Sequence, residues 1–411
     1  GNTDHTVIDI PKLHFKLADA PFDATINMQD LFGNSRIEAT AEGRIDLANL
    51  LKLVPLKGTQ LTGLIASNIE IKGRLNDISN SAIDKFKASG NIKTTNLIYQ
   101  TQDMNEQLVV NNAKIGVYNQ KIAISSFDGM LGKNDINFSG TFDNFFSYLL
   151  KDETLTGKAT LTSNNLNANN FLEEDETIVD DSEVQMTLIE IPGNVDLDLS
   201  TSIKNLKYDD LELTDLVGEF GVKNKTLTMK DISTHLLGGR VNLTGNYTYD
   251  AIKPRAQFDV SYSDIKVTDL LSKFTVVKAF APFAKEIKAI TTAKIQFSSD
   301  LNEDMSPKLS NINLGGSLNL ENIEMGKLKV LKSIDSKLGT GHFNIKTLKD
   351  LLLNFSIQDG KLFVSPFELF IDSSKLSLNG LSKLDGSINY TGLLSIPSTY
   401  VKNEASILNN L

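Results

Sequence analysis

Few residues of this chain are of a type and spacing that could carry chemistry. The sequence has no cysteine, so thiolate nucleophiles, thiolate metal ligands and disulfides are excluded. Its four histidines are too scattered to indicate a metal cluster or a base beside a nucleophile, and a solvated strand face is the simpler interpretation of each. They are His5, His14, His235 and His342.

Two aspartates, Asp196 and Asp198, look like the paired carboxylates of a general acid and base. Side chains two apart on a strand point to the same side, and a face bearing both is more simply a solvated one. Gly339 and Gly341 lack the third glycine of a phosphate-binding loop, and the sequence has no G-x-S-x-G elbow. The sequence therefore predicts no catalytic residue, no metal site, no cofactor and no enzymatic activity.

The elements that would position any site are strands. In residues 192–250 apolar and polar side chains alternate, for example Leu197 and Leu199 against Asp196 and Asp198. Turn signals interrupt the pattern about every ten residues, at Asp209-Asp210, Asn224-Lys225 and Gly238-Gly239. This spacing predicts a long antiparallel meander with one apolar face.

One hairpin pattern recurs with constant spacing. Two apolar residues on a first strand are followed, 14 residues later, by their counterparts on a second strand, and 18 residues later by a glycine. The three copies are Ile122, Ile124, Ile136, Phe138 and Gly140; Leu227, Met229, Val241, Leu243 and Gly245; and Leu362, Val364, Leu376, Leu378 and Gly380. A looser pattern places an asparagine six residues after a glycine, as in Gly90 and Asn96 or Gly316 and Asn322.

A few short amphipathic helices are expected between the strands. A strand passes into a helix near Asn49, Asn170 and Asp269, where the side chain could cap the first turn. The further helix candidates are residues 142–150, 268–290 with a break at Pro282, and 327–338. Such helices could lie on a membrane, but closing the end of a sheet is the commoner role.

The charge of the chain limits its partners. With 41 basic and 51 acidic residues the net charge is -10, which argues against a nucleic-acid partner and an anionic membrane surface. Acidic residues are dense in 173–190, where like-charge repulsion predicts a mobile loop between two halves of the chain. A calcium site is the alternative interpretation, but the EF-hand spacing is missing.

About two dozen strands with a few short helices leave more apolar strand surface than the helices can cover. The sheet could split into packed sandwiches or curl into an elongated half-pipe with an open apolar groove; the scarcity of large aromatic side chains favours the half-pipe. An apolar groove suits acyl chains. The candidate lining residues are Ile122, Ile124, Ile136, Phe138, Val195, Leu197, Leu199, Leu211, Leu213, Leu227, Met229, Val241, Leu243, Leu362, Val364, Leu376 and Leu378.

The second half of the chain resembles the C-terminal region of AsmA-type proteins. The likeness rests on degenerate motifs that cover residues 190–397 well and 1–172 loosely. They are Val195-Asp196-Leu197-Asp198-Leu199, Leu206-Lys207-Tyr208, Leu211-Glu212-Leu213, Leu227-Thr228-Met229, Gly238-Gly239-Arg240-Val241, Asp269-Leu270-Leu271, Ile357-Gln358-Asp359-Gly360-Lys361-Leu362, Leu376-Ser377-Leu378-Asn379-Gly380 and Ile388-Asn389-Tyr390.

This resemblance implies a periplasmic protein of the Gram-negative envelope, held at the inner membrane by an N-terminal helix and similar to the bridge-like lipid transfer proteins, including TamB and YhdP. Its expected partners are phospholipid or another acyl lipid, the inner membrane, and outer-membrane assembly proteins, and its expected role is phospholipid transport in outer-membrane biogenesis. The family supplies no catalytic residue. The sequence has no start methionine or anchor, so we expect an excised fragment.

The expected organisation is an N-terminal part of the groove over 1–172, the acidic loop over 173–190, an AsmA-like groove with a helical insertion near 268–290 over 191–397, and a tail over 398–411. The alternative hypothesis is a scaffold of stacked β-sandwiches that binds proteins or glycans, with Tyr247, Tyr249 and Tyr262 as candidate aromatic platforms.

Overall fold

The computed structural model describes residues 6–17, 20–31, 33–53, 56–74, 77, 85–171, 188–325, 347–371, 373–385 and 387–397. The described chain is mainly β and forms one mixed sheet of 21 strands, which is not closed into a barrel. This confirms the predicted fold class. The predicted helix at 327–338, the predicted tail and most of the acidic loop lie outside the described residues.

The strands are numbered in chain order. They are β1 (Val7–Leu17), β2 (Ala20–Gln29), β3 (Arg36–Asp46), β4 (Gln60–Arg74), β5 (Lys87–Gln100), β6 (Leu108–Tyr118), β7 (Lys121–Leu131), β8 (Asn134–Asp143), β9 (Leu155–Asn167), β10 (Val195–Tyr208), β11 (Leu211–Lys223), β12 (Thr226–Leu236), β13 (Gly239–Thr248), β14 (Arg255–Lys266), β15 (Ile287–Asp300), β16 (Asn313–Met325), β17 (Thr347–Leu348), β18 (Leu351–Gln358), β19 (Lys361–Ile371), β20 (Ser374–Lys383) and β21 (Ile388–Ser395).

The pairing is a meander with one exception. Strands β1 to β9 pair antiparallel in chain order. Strands β13 to β16 and β18 to β21 do the same. Strand β16 pairs antiparallel with both β17 and β18. Strand β10 pairs parallel to β9, so the prediction of a wholly antiparallel sheet was wrong here. A parallel neighbour requires a crossover connection between the two strands, and residues 168–194 separate β9 from β10 in the sequence.

The chain divides into two compact units. Unit 1 comprises Gly1–Ala168, Ile191–Lys207 and Asp215–Leu227, and unit 2 comprises Asn169–Glu190, Tyr208–Thr214 and Thr228–Leu411. The parallel pairing places β10 in unit 1, although it follows the acidic stretch in the sequence.

The helices are α1 (Leu47–Leu53), α2 (Phe145–Lys151), α3 (Val267–Lys273) and α4 (Thr275–Phe280), with 3-10 turns at Ala168–Phe171 and Pro282–Glu286. The predicted helix over 268–290 was therefore too long, because 287–290 begins β15. The predicted caps were also wrong: Asp46, not Asn49, accepts a backbone N–H, that of Asn49 at 3.2 Å. Asn170 lies inside its 3-10 turn and Asp269 inside α3.

The recurring hairpin pattern corresponds to a paired glycine beside a β-bulge. Gly140 faces Ile124 and Gly380 faces Val364, and the register shifts directly after each pair. In the third copy Asp231 of β12 has φ 51°. Bulges bend and twist a strand locally, so each copy marks a bend in its hairpin. Asn96 and Asn322 of the looser pattern also lie in strands with positive φ, at 48° and 52°.

Candidate functional site

Strand register in unit 1 aligns the apolar residues of ten strands on one side of the sheet. Residues that face each other across a ladder point to the same side, so a single row can be followed from β1 to β10. That row is Leu13, Ala24, Ala41, Ile69, Gly90, Val117, Ile122, Phe142, Gly157 and Leu197. We call this side the apolar face.

The row one residue along each strand lies on the opposite side, the polar face. It reads His14, Asp23, Glu42, Asn68, Asn91, Gly116, Ala123, Thr141, Lys158 and Asp198. Along these rows one side of unit 1 carries only apolar residues and glycine, and the other is mostly polar, as the alternating sequence predicts.

Unit 2 has the same arrangement over eight strands. Its apolar row is Leu243, Val260, Ile295, Gly316, Phe355, Val364, Gly380 and Tyr390. The adjacent row begins polar with Thr244, Asp259 and Gln296, but includes Phe363, which is 40% exposed, and Leu381 near the end of the sheet.

The candidate lining residues are neither fully packed nor fully exposed. Ile122, Val195, Leu362 and Leu376 are buried. The other thirteen are half-buried, and they are Ile124, Ile136, Phe138, Leu197, Leu199, Leu211, Leu213, Leu227, Met229, Val241, Leu243, Val364 and Leu378. An apolar side chain in a closed core touches neighbours on every side, so half-burial means that these residues rest on the sheet with part of their surface in solvent.

Short helices cover the apolar face only locally. In unit 1, Phe145 and Phe146 of α2 pack against Ala88, Val117 and Ile122, where these strands meet α2. The phenyl rings of Phe146 and Phe86 are 5.7 Å apart. This contact confirms that the helix following β8 closes one end of the sheet.

In unit 2 the helical insertion covers a larger part of the face. Phe280 of α4 is 2% exposed and packs with Ile312, Ile357 and Leu362. Val267 of α3 packs with Ala289, Leu320 and Ile323. The candidate lining residues Leu362 and Val364 therefore lie under the protein's own helices.

The polar face explains Asp196 and Asp198. Asp196 Oδ2 lies 2.6 Å from Lys223 Nζ, and Asp198 Oδ2 lies 3.5 Å from Lys158 Nζ. The hydrogen bond that Lys223 donates to Asp196, followed by the charge of Asp196, raises the pKa of Lys223. Each carboxylate pairs with a lysine on an exposed surface, so the interpretation as a solvated face is confirmed.

A polar cluster at the start of β8 was not found from the sequence. The Asp135 carboxylate accepts the backbone N–H groups of Asn164 and Asn165 and the hydroxyl of Ser163. Desolvation opposes ionisation of Asp135, but the hydrogen bonds from Asn164 and Asn165 outweigh it and lower its pKa. These contacts tie β8 to β9 beyond their last ladder pair, Asn137 and Thr162, so a structural role suffices.

Two concavities of about 270 and 610 Å³ are lined largely by polar-face side chains. The smaller includes Asn137, Thr162 and Ser202, and the larger includes Asp259, Lys294 and Gln296. The larger also includes Leu243, Val260 and Ile295 of the apolar row, so it contains one candidate lining residue, Leu243. The smaller contains none of the candidates.

The aromatic platform proposed for the glycan-binding alternative is wrong at Tyr247. This ring is 3% exposed, its hydroxyl donates to the Ile189 carbonyl at 2.9 Å, and burial raises its pKa to about 12. Tyr262 is also largely shielded, and desolvation raises its pKa. Neither ring is displayed for stacking.

Within the described ranges, no three or more His, Asp or Glu side chains gather as a possible metal site. His14 Nδ1 lies 2.7 Å from Asp23 Oδ1, while His5 and His342 lie outside those ranges. The described helices are all too short to cross a membrane. No family model, curated protein or solved structure matches the chain.

Proposed function

We propose that this protein binds lipid by shielding acyl chains along the apolar face, and that it transfers lipid rather than transforming it. The observation that carries the proposal is the continuous apolar row across the ten strands of unit 1, together with the half-burial of thirteen of the seventeen candidate lining residues. A row of this kind exposes apolar surface in a long stripe, and large stripes of that kind are typical of surfaces that bind an apolar partner.

The dimensions of the apolar face suit an elongated guest. At ~4.8 Å between strands, ten strands extend about 45 Å. Each buried methylene of an acyl chain contributes ~0.8 kcal/mol, so a sixteen-carbon tail would contribute about 12 kcal/mol before the cost of ordering it. Binding of this kind requires no specific polar contact, which agrees with the uniform apolar chemistry of the row.

The resemblance to the AsmA family adds the cellular setting to the proposal. On that resemblance, the protein works in the periplasm from an attachment at the inner membrane and contributes to phospholipid transport and outer-membrane biogenesis. The apolar face would form the lining of its groove.

The first test is to identify lipid that co-purifies with the protein, by native mass spectrometry and by solvent extraction. Leu197→Asp and Leu243→Asp place a carboxylate on the apolar face of each unit. The matched controls are Ser200→Asp on β10 and Asn242→Asp on β13, which place the same charge on exposed polar-face positions. We expect each apolar-face variant to lose at least tenfold in bound lipid, and each control to keep it.

Circular dichroism measures the strand content of each variant. A variant that keeps the native strand content but carries no lipid is folded and has lost only lipid binding. If the wild-type protein is free of lipid and takes up none from phosphatidylethanolamine vesicles, the proposal is wrong. Equal lipid retention by apolar-face and polar-face variants would also contradict it.

A further inference from the structure

The two outermost described strands differ in how their free edges are protected. Among the described strands, β1 pairs only with β2, and β21 pairs only with β20. A free edge leaves a row of backbone N–H and C=O groups unpaired, which can pair with another strand unless a bulge, a proline or charges prevent it.

Strand β1 carries all three protections. Its sequence contains Pro11, its charged residues include Asp9 and Lys12, and its register shifts between Ile10 and Leu13. Strand β21 has none of them. Its sequence INYTGLLS is free of charge and proline, its register with β20 is unbroken, and Ile388 and Leu393 are 65% and 70% exposed.

We propose that β21 pairs antiparallel with β21 of a second copy of this chain, about a two-fold axis at Thr391. This register puts Ile388 opposite Leu394 and Tyr390 opposite Gly392 on the apolar face. On the polar face it puts Thr391 opposite Thr391. No like charges meet, because the strand is uncharged, and the apolar faces of the two copies lie on the same side.

Pairs of the same kind already occur inside the sheet. Thr25 and Thr40 face each other with their hydroxyl oxygens 2.7 Å apart. Gly380 faces Tyr390, and Gly245 faces Phe258. The self-pairing therefore repeats combinations that this sheet uses elsewhere, and this is why the inference commits to a second copy rather than to an unrelated strand. It is independent of lipid binding.

Single cysteines test the register cleanly, since the sequence has none of its own. In Thr391→Cys the two thiols would face each other across the axis, where directly opposed Cα atoms are about 4.5 to 5.5 Å apart and a disulfide forms readily. The control Asn389→Cys lies on the same strand and face and is also exposed. Its two copies would be about 14 Å apart, beyond disulfide reach.

Under oxidation by copper phenanthroline we expect the Thr391→Cys protein to form a disulfide dimer at least tenfold faster than Asn389→Cys. A mixture of Asn389→Cys with Leu393→Cys, which face each other in this register, should cross-link as Thr391→Cys does. Equal rates for the two single variants would mean random collision and would overturn the register.

Sedimentation of the unmodified protein provides a second measurement. Thr391→Lys places the lysines of the two copies opposite each other at the axis. Their like charges should weaken self-association at least tenfold. The control Asn379→Lys adds the same charge on β20, at the residue that faces Thr391 within one copy. It should change the strength of self-association less than twofold. A wild-type protein that stays monomeric at hundreds of micromolar contradicts the proposal.

Discussion

The apolar face of β7 to β10 in unit 1 and that of β15 to β19 in unit 2 derive from the same strand pattern but have different cover. Ile136 and Phe138 of β8 are half-buried. In the corresponding hairpin of unit 2, Leu362 is 8% exposed beneath α4, as its counterpart Ile122 is beneath α2. The strand alternation is alike, so the difference lies in which residues of each hairpin a helix covers.

This comparison teaches that alternation specifies which side of a sheet is apolar, not whether that side is covered. A few short helices determine whether the apolar side is covered. Where α2, α3 or α4 lies on the face, nearby residues are buried, as Ile122 and Val267 show. Under the proposed function, an acyl chain would lie on the parts of each unit's apolar face that these helices leave uncovered.

The largest expected difference between the two regions concerns Phe280 and Phe138. Phe280→Ala removes a buried ring that packs on Ile312, Ile357 and Leu362, and we expect unit 2 to lose about 3 to 5 kcal/mol. Phe138→Ala removes a half-buried ring that stacks with Phe142 at 6.0 Å, and we expect unit 1 to lose only about 1 to 2 kcal/mol.

Hydrogen exchange measures each loss locally, through the amides of β15 for Phe280 and of β8 for Phe138. Local measurement is needed because two units need not unfold together. If both variants lose the same protection, the two regions are equally packed and the comparison fails.

The second prediction concerns Tyr247, which is covered by the stretch of chain that contains Ile189 and not by a helix. This ring lies on the apolar row of β13 and is held by the Ile189 carbonyl. Its pKa in the folded protein is raised to about 12, chiefly by burial. The folded state therefore holds the phenol proton more tightly than the unfolded state, whose tyrosine pKa is about 10.

The contribution of Tyr247 to the free energy of unfolding is fully present below pH 10. It is lost as the pH rises through 12, which lowers the free energy of unfolding by up to about 3 kcal/mol. Urea unfolding between pH 8 and 12 should show a steeper decline for the wild type than for Tyr247→Phe, since lysines titrate equally in both. Parallel curves would mean that Tyr247 is not covered.

Much of the local fold can be predicted from the sequence. Asn224 and Lys225 were expected to form a turn, and they have φ values of 50° and 61°, the positive pair that two-residue hairpins prefer. The glycines of the recurring hairpin pattern, such as Gly245, were expected at strand positions. A Cβ atom there would lie 2.4 Å from the Phe258 ring, so close strand approach explains the constant spacing.

Other features leave no clear signal in the sequence. Strand β10 alternates as any half-buried strand does, and alternation does not distinguish a parallel neighbour from an antiparallel one. Residues 287–290 fit a helix and a strand equally well, because so short an apolar run satisfies both periods. Of the candidate site, the identity of the apolar side chains was predictable, but the cover over Leu362 depends on where α4 packs.

The smallest expected effect compares the two faces of a single strand. Asp196 pairs with Lys223 on the exposed polar face of β10, and its neighbour Leu197 lies half-buried on the apolar face. We expect Asp196→Ala to leave the urea midpoint of unit 1 unchanged, since exposed ion pairs are screened by water and salt. Leu197→Ala should lower stability by about 1 to 2 kcal/mol.

The same pair of variants also bears on lipid. If bound acyl chains cover Leu197, lipid should stabilise the wild type and the Asp196→Ala protein equally, and the Leu197→Ala protein less, because the guest loses part of its contact surface. Lipid that stabilises all three equally must bind elsewhere. The effect of added lipid on two adjacent residues thus distinguishes a guest on the apolar face from one attached to the polar side.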